Sequence, residues 1–265
     1  MNTIKWETKR YFRSVLTWTI AISALQFIYA AIYPSFVNEK EMMIRWTKMM
    51  PQTLMKFFGF ETLDLSNILN YYAAISSFYV NLMGSIFATF VGVRALSREE
   101  IEKTAEFLLT RPVSRTRIVS LKLLACTIQI LIFDGVTGTL SMIFLNMYKT
   151  GDFSTSKFWI LWLSQLLLHL TIMNLSFFIG AVQKKPEIAV SLSLAAMAGL
   201  YVINALSKIT ETLRIVGYLT PYFYADSSRI IKHGFGNIFV VYFVVTNALL
   251  ILFCLMIYRK KDILL

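Results

Sequence analysis

Charge is scarce in this chain. Asp, Glu, Lys and Arg together make up 15% of 265 residues, against about a quarter in a soluble domain, and that shortage excludes the surface of a water-soluble enzyme. Cysteine is nearly absent. Cys126 and Cys254 each lie in an apolar run with no CxxC spacing and no histidine beside them, so neither a disulfide framework nor a zinc site is indicated. No G-x-x-x-x-G-K-[ST] sequence occurs anywhere, which leaves the chain without a phosphate-cradling loop of its own. There is also no convincing internal repeat, whereas secondary transporters are commonly built from related halves.

What the chain has in abundance is apolar length: 57% of its residues are hydrophobic and its mean hydropathy is +0.61. A bilayer span takes about 20 mostly apolar residues. Six stretches qualify, at residues 15–33, 71–96, 118–147, 158–182, 188–206 and 238–258. All six are expected to be transmembrane helices, giving an all-α polytopic membrane protein with a single transmembrane domain over residues 1–265. The first stretch follows Lys5, Lys9, Arg10 and Arg13 as a signal peptide would, but it is long for a signal-peptide core and five more spans follow, so it is expected to be retained. Residues 1–14, with Ile4 and Tyr11 seven apart and basic residues between them, suit a helix lying on the inner membrane surface. Segments 34–70 and 208–237 become the extracellular connections.

The formal charge of +11 is distributed by topology. With the N-terminus inside, 16 of the 26 Lys and Arg residues fall on the cytoplasmic side, concentrated in short loops, and ten fall outside. Cytoplasmic loops carry the positive excess, so both termini are expected in the cytoplasm. The basic residues are then a topology signal and an attraction to anionic lipid heads, and nucleic acid is not needed to explain them. The tryptophans Trp6, Trp18, Trp46, Trp159 and Trp162 lie in loops or near span ends, where amphipathic rings anchor at the headgroups.

The most patterned stretch is the cytoplasmic connection between the second and third spans. Ser97 and Glu100 have capping-box spacing, Glu99, Glu100 and Glu102 suit a first helical turn, and Pro112 ends the run. This predicts a short, separately capped helix over 98–110, with Ile101, Ala105, Leu108 and Leu109 on one apolar stripe opposite an acidic face. Ser114 is placed to cap the next helix, with Arg115, Arg117 and Lys122 at the inner interface. Such a helix is either a solvated surface element or a docking element for a cytoplasmic protein.

The run Glu99-Glu100, Thr104, Glu106-Phe107-Leu108-Leu109, Arg111-Pro112-Val113-Ser114-Arg115-Thr116-Arg117 and Lys122 resembles the signature of ABC-2-type permeases, the membrane subunits of ATP-binding-cassette exporters. It departs from that pattern at Lys103, where the family commonly has glycine. The resemblance extends to the six spans, the N-terminal interfacial helix, the segment from Met50 to Phe60, Tyr218 to Tyr222, and the closing Arg259-Lys260-Lys261-Asp262. It implies that helix 98–110 couples to a P-loop ATPase subunit through Glu99, Glu100, Ile101, Ala105, Glu106, Leu108, Leu109 and Arg111. It also implies a second permease chain, identical or paralogous, and short re-entrant or extracellular helices within 208–237. ATP and magnesium would sit on the partner, with no cofactor in this chain.

Two ionisable residues lie deep in spans. Asp134 either lines the translocation route and meets a cationic part of the substrate, or pairs with Ser, Thr, Asn or Gln on a neighbouring helix or lies nearer the outer surface. His169 is either a proton relay or ligand, or an interhelical hydrogen-bond donor; no second His or Cys stands at helical spacing to complete a metal site. Amides in every span (Gln26, Asn81, Gln129, Gln165, Asn174, Asn204 and Asn247) are expected to act as polar glue.

The expected function is therefore an ABC export permease with no enzymatic site, moving a peptide or small amphiphile across a plasma membrane whose composition signature is bacterial. An intramembrane CAAX-type protease fails on detail: its E-E-x-x-x-R pattern would need Arg at Thr104 and its F-x-x-x-H pattern would need Phe at Gln165. A non-pumping scaffold or immunity protein, or a secondary transporter, stands as the alternative.

Overall fold

A computed structural model describes residues 3–39, 49–58, 63–101 and 114–260. Among these every regular element is helical. The elements are α1 (Thr3–Asn38), α2 (Gln52–Phe58), α3 (Ile68–Ile101), α4 (Arg115–Tyr148), α5 (Thr155–Val182) and α6 (Pro186–Ile209). A 3-10 turn (Glu211–Leu213) then leads to the short α7 (Arg214–Gly217), α8 (Pro221–Tyr224) and α9 (Ser227–His233), and α10 (Asn237–Lys260) is the last described element. Helices α1, α3, α4, α5, α6 and α10 are each long and apolar enough to cross a membrane. In hydrocarbon every backbone N–H and C=O must be satisfied within the segment, which is why apolar runs of this length resolve as helices.

Local chemistry sets the boundaries. Ser114 Oγ accepts from the Arg117 N–H at the start of α4, as its position before the span predicts, and Ser154 does the same for Lys157 at the start of α5. Pro186 opens α6 at a position where its missing N–H costs nothing. α1 carries the N-terminal basic segment and the first span in one unbroken helix.

Ser97 behaves differently from its expected capping role. α3 runs through it to Ile101 without a break, so residues 98–101 belong to the end of this helix. The preceding turn of α3 already supplies carbonyl partners for the backbone N–H groups that an N-cap would otherwise satisfy. Residues 102–113, with the rest of the expected coupling helix, lie outside the described residues.

The bundle is built around α3 and α5. In both, 72% of the apolar window is buried, against 28% in α6 and 17% in α10. Their backbones meet through glycine: a Cβ on Gly92 would stand 2.2 Å from the Met173 carbonyl oxygen, and one on Gly180 would stand 3.1 Å from the Val93 carbonyl oxygen. Small residues at such crossings let helices approach closely where the surrounding lipid offers no hydrophobic driving force. α4 packs on α1 and flanks this centre, with Phe133 against Phe87 at 4.6 Å between ring centroids. α10 lies on α5 and is tied to it by side chains: Asn174 donates to Asn247 at 2.6 Å, and Asn247 to Thr171 at 2.8 Å.

Replacing Gly92 by alanine puts the new methyl against backbone that has nowhere to move. We expect Gly92→Ala to lower the stability of the purified chain in detergent by about 1–3 kcal/mol, whereas Gly199→Ala, where a Cβ meets nothing within 4 Å, leaves it unchanged or raised. Thermal unfolding followed by tryptophan fluorescence checks both, and equal midpoints for the two variants would contradict the close crossing.

Candidate functional site

Asp134 and His169, read separately in the sequence, meet. Asp134 is at mid-helix on α4 and His169 at mid-helix on α5, each about 20 Å from the nearer helix end at 1.5 Å per residue. His169 Nδ1 lies 2.8 Å from Asp134 Oδ1 and 3.1 Å from Oδ2. On its other side, Nε2 donates to the Val80 carbonyl of α3 at 3.2 Å. A carbonyl oxygen only accepts, so Nε2 carries a hydrogen. Nδ1 faces the carboxyl group, so both ring nitrogens are engaged. Mutual hydrogen bonding is what makes the pair tolerable at 0–1% exposure in the middle of a membrane protein.

Glycine and tryptophan shape the niche. A Cβ on Gly84 would lie 2.3 Å from His169 Nε2, so only glycine at that point of α3 admits the imidazole. Trp162 fills a second notch over Gly138 and donates its indole N–H to the Asp134 backbone carbonyl at 2.7 Å. Trp162 is thus an interhelical tie rather than the headgroup anchor expected of it. Around this core Tyr72 donates to Ser141 at 3.2 Å and Gln165 to Ser76 at 3.3 Å, so α3, α4 and α5 are joined at several depths.

One helical step from Val80, the Asn81 amide reaches the Ala225 carbonyl at 3.5 Å. Ala225 joins α8 to α9, and these short helices seat Tyr222, Ile230 and Ile231 inside the bundle. Asp226 holds the turn in place: it caps α9 by accepting from the Arg229 N–H at 3.0 Å, accepts from the Ser228 hydroxyl, and forms an ion pair with Lys208 at the end of α6. Burial pushes the Asp226 carboxyl up, but the Lys208 charge and these hydrogen bonds outweigh it and hold the carboxyl below its ordinary value.

At the opposite end of α3, the roots of the 102–113 connection are well defined. Lys122 of α4, expected at the inner interface, is 3% exposed and donates to the Ala95 carbonyl of α3. Arg259 at the end of α10 donates to Thr116 at 3.2 Å. Glu99, Glu100 and Ile101 fall on the last turn of α3; Ala105, Glu106, Leu108, Leu109 and Arg111 lie outside the described residues.

A helix bundle of six candidate spans, with a buried lysine at the root of the 102–113 connection and short helices packed into its other end, agrees with comparison by sequence. The profile of the ABC-2 family transporter proteins matches residues 1–263. The chain belongs to the ABC-2 transporter family. No curated protein matches it. As a member of that family it is a multi-pass membrane permease of an ABC transporter, and membership implies an ATP-binding partner subunit.

In this ABC-2 permease, Val80, Gly84, Gly138 and the Lys208–Asp226 pair escaped the sequence reading. The glycines carried the only local signal, as isolated small residues inside long apolar helices.

Two outcomes follow from the geometry. Asp134→Leu or His169→Leu alone strands a buried polar partner and is expected to cost about 3–5 kcal/mol. The double variant should cost less than the sum, with a coupling of about 1–3 kcal/mol in a double-mutant cycle; additive losses would show that the two do not act as a pair. Asp226→Asn should lower stability at neutral pH by about 1–3 kcal/mol. A carboxyl held low stabilises the fold above its ordinary value of 3.8, and that stability is lost as pH falls through the depressed value. The gap between wild type and variant therefore closes on acidification, which thermal melts across pH will reveal.

Proposed function

We propose that the permease exports a peptide or small amphiphile by alternating access, driven by ATP and magnesium bound to separate P-loop ATPase subunits. Both termini and the 102–113 connection face the cytoplasm of a bacterial cell, in keeping with 16 of 26 basic residues on that side. The chain performs no covalent chemistry, and its sequence carries no phosphate-binding loop to do so.

The observation that carries this reading is the fixed root of the connection. Lys122 bonded to the Ala95 carbonyl joins α4 to α3 beside residues 102–113, and Ser114 caps the start of α4; in this scheme a push on that segment passes into both helices. From there the His169 tie joins α4 and α5 to Val80, one residue from the Asn81 contact with the α8–α9 turn. Glu99, Glu100, Ile101, Ala105, Glu106, Leu108, Leu109 and Arg111 form the ATPase contact in this scheme. The α7–α9 segment closes the outer end. A second permease chain, the same or a paralogue, completes the transporter, and the apolar exposed faces of α1 and α10 offer it contact area alongside lipid.

Reversing the charge of Glu99 and Glu106 together should weaken co-purification of the ATPase, or substrate-stimulated hydrolysis, by about tenfold with membrane insertion intact. Mild-detergent pull-down from the native host with mass spectrometry provides the baseline. Unchanged coupling in the double variant overturns the contact, and recovery of the chain alone favours a non-pumping scaffold or immunity role.

A further inference from the structure

The membrane face opposite the 102–113 connection carries a cleft of ≈ 1010 Å³ between the end of α6, the short helices and the start of α10. Its charge is one-sided. Lys56, Lys208, Arg214, Arg229 and Lys232 line it, and Asp226 is the one carboxylate among the described lining residues. Asp226 is engaged by Lys208, which leaves a surplus of four cations among the described lining residues. Cations gathered in one cleft repel, as Arg214 does Arg229, so a bound anion there removes repulsion as well as adding attraction.

The cations are also positioned. Arg229 is half-buried and stacks its guanidinium 3.7 Å above the centre of the Phe223 ring, and α9, which carries it and Lys232, is capped at its start by Asp226 and at its end by Gly234 in a left-handed conformation (φ 65°). Asn204, 6% exposed, lines the same cleft, and its Oδ1 has no hydrogen-bond partner among the described residues. That atom accepts only, so it calls for a ligand with a hydroxyl or N–H to give. Finally, Ile238 lines the cleft and is 72% exposed, with Val241 one turn below it on α10 and 59% exposed. Residues three apart share a helix face, so a polar, cationic cleft at the end of two spans continues directly into an apolar strip on the span itself.

We propose that this cleft binds the phosphate-ester headgroup of an anionic amphiphile, with Arg214, Arg229 and Lys232 on the phosphate, Asn204 accepting from a headgroup hydroxyl, and the acyl chain lying along Ile238 and Val241. Guanidinium groups match phosphate oxygens bidentately, and the adjoining apolar strip distinguishes this ligand from an acidic peptide. The phosphate-ester chemistry has two sources: a resident phospholipid, whose acyl chain takes the apolar strip, or a soluble phosphate ester, which takes the cationic cleft alone. The site requires neither an ATPase partner nor pumping, so it stands or falls separately from the export reading.

The test is titration of the full-length purified chain, in neutral detergent, with phosphatidylglycerol and phosphatidylcholine, read by native mass spectrometry. Phosphatidylglycerol is expected to bind at least about tenfold more tightly, and Arg214→Gln with Lys232→Gln to abolish about that tenfold preference. Both side chains are exposed, so the variant retains the fold, which its melting temperature verifies. Equal binding of the two lipids, or an unchanged preference in the double variant, overturns the proposal; so does displacement of phosphatidylglycerol by an oligoglutamate peptide at equal concentration. Displacement by glycerol 1-phosphate at comparable concentration supports a soluble phosphate ester as the ligand, and a need for about a hundredfold excess supports the membrane lipid.

Discussion

Everything in this bundle hangs on how closely α3 and α5 approach. Gly92 and Gly180 place backbone against backbone, and in hydrocarbon that proximity is what converts two apolar helices from neighbours in lipid into a packed pair. With the separation fixed, Gly84 comes opposite His169 and the imidazole reaches the Val80 carbonyl. A bulkier residue at either crossing would move the helices apart and unmake the polar contacts along with the packing. The hydrogen bonds are therefore a consequence of the close crossing, and the crossing is a consequence of having no side chain at two positions.

The Asp134–His169 pair then supplies what packing alone does not, a unique register among three helices. Apolar faces slide on one another at little cost, whereas a buried carboxyl–imidazole pair has one arrangement that satisfies all its hydrogen bonds. The same division of labour recurs on the other side of α5, where Asn174, Asn247 and Thr171 set the position of the otherwise lipid-facing α10. α3, α4 and α5 thus share one polar core, and side-chain hydrogen bonds join α10 and the α8–α9 turn to it.

The features legible in the sequence were those decided by local or one-dimensional physics. Span number and placement follow from apolar length, and the Ser114 cap follows from residue type just before a helix. The polar glue was foreseen as a class of interaction, and Asn174, Gln165 and Asn247 fulfil it. Which partner each polar residue takes was hidden, because Asp134 and His169 are 35 positions apart on different helices and their meeting depends on the rotation of both. Ser97 misled because a capping pattern has meaning only where a helix begins, and whether α3 had ended was not a local question. Trp162 misled for the related reason that its distance from the span end was legible and the notch over Gly138 was not.

The buried ammonium of Lys122 bears on how the protein is made. Standing alone in the bilayer, α4 would present that charge to lipid at a cost of a few kcal/mol; beside α3, the charge is covered and bonded to the Ala95 carbonyl. Synthesis delivers α3 first, so the complement already exists when α4 emerges. Pairing with α3, on which α1 already packs through Tyr29–Tyr79 and Trp18–Phe87, spares α4 that cost.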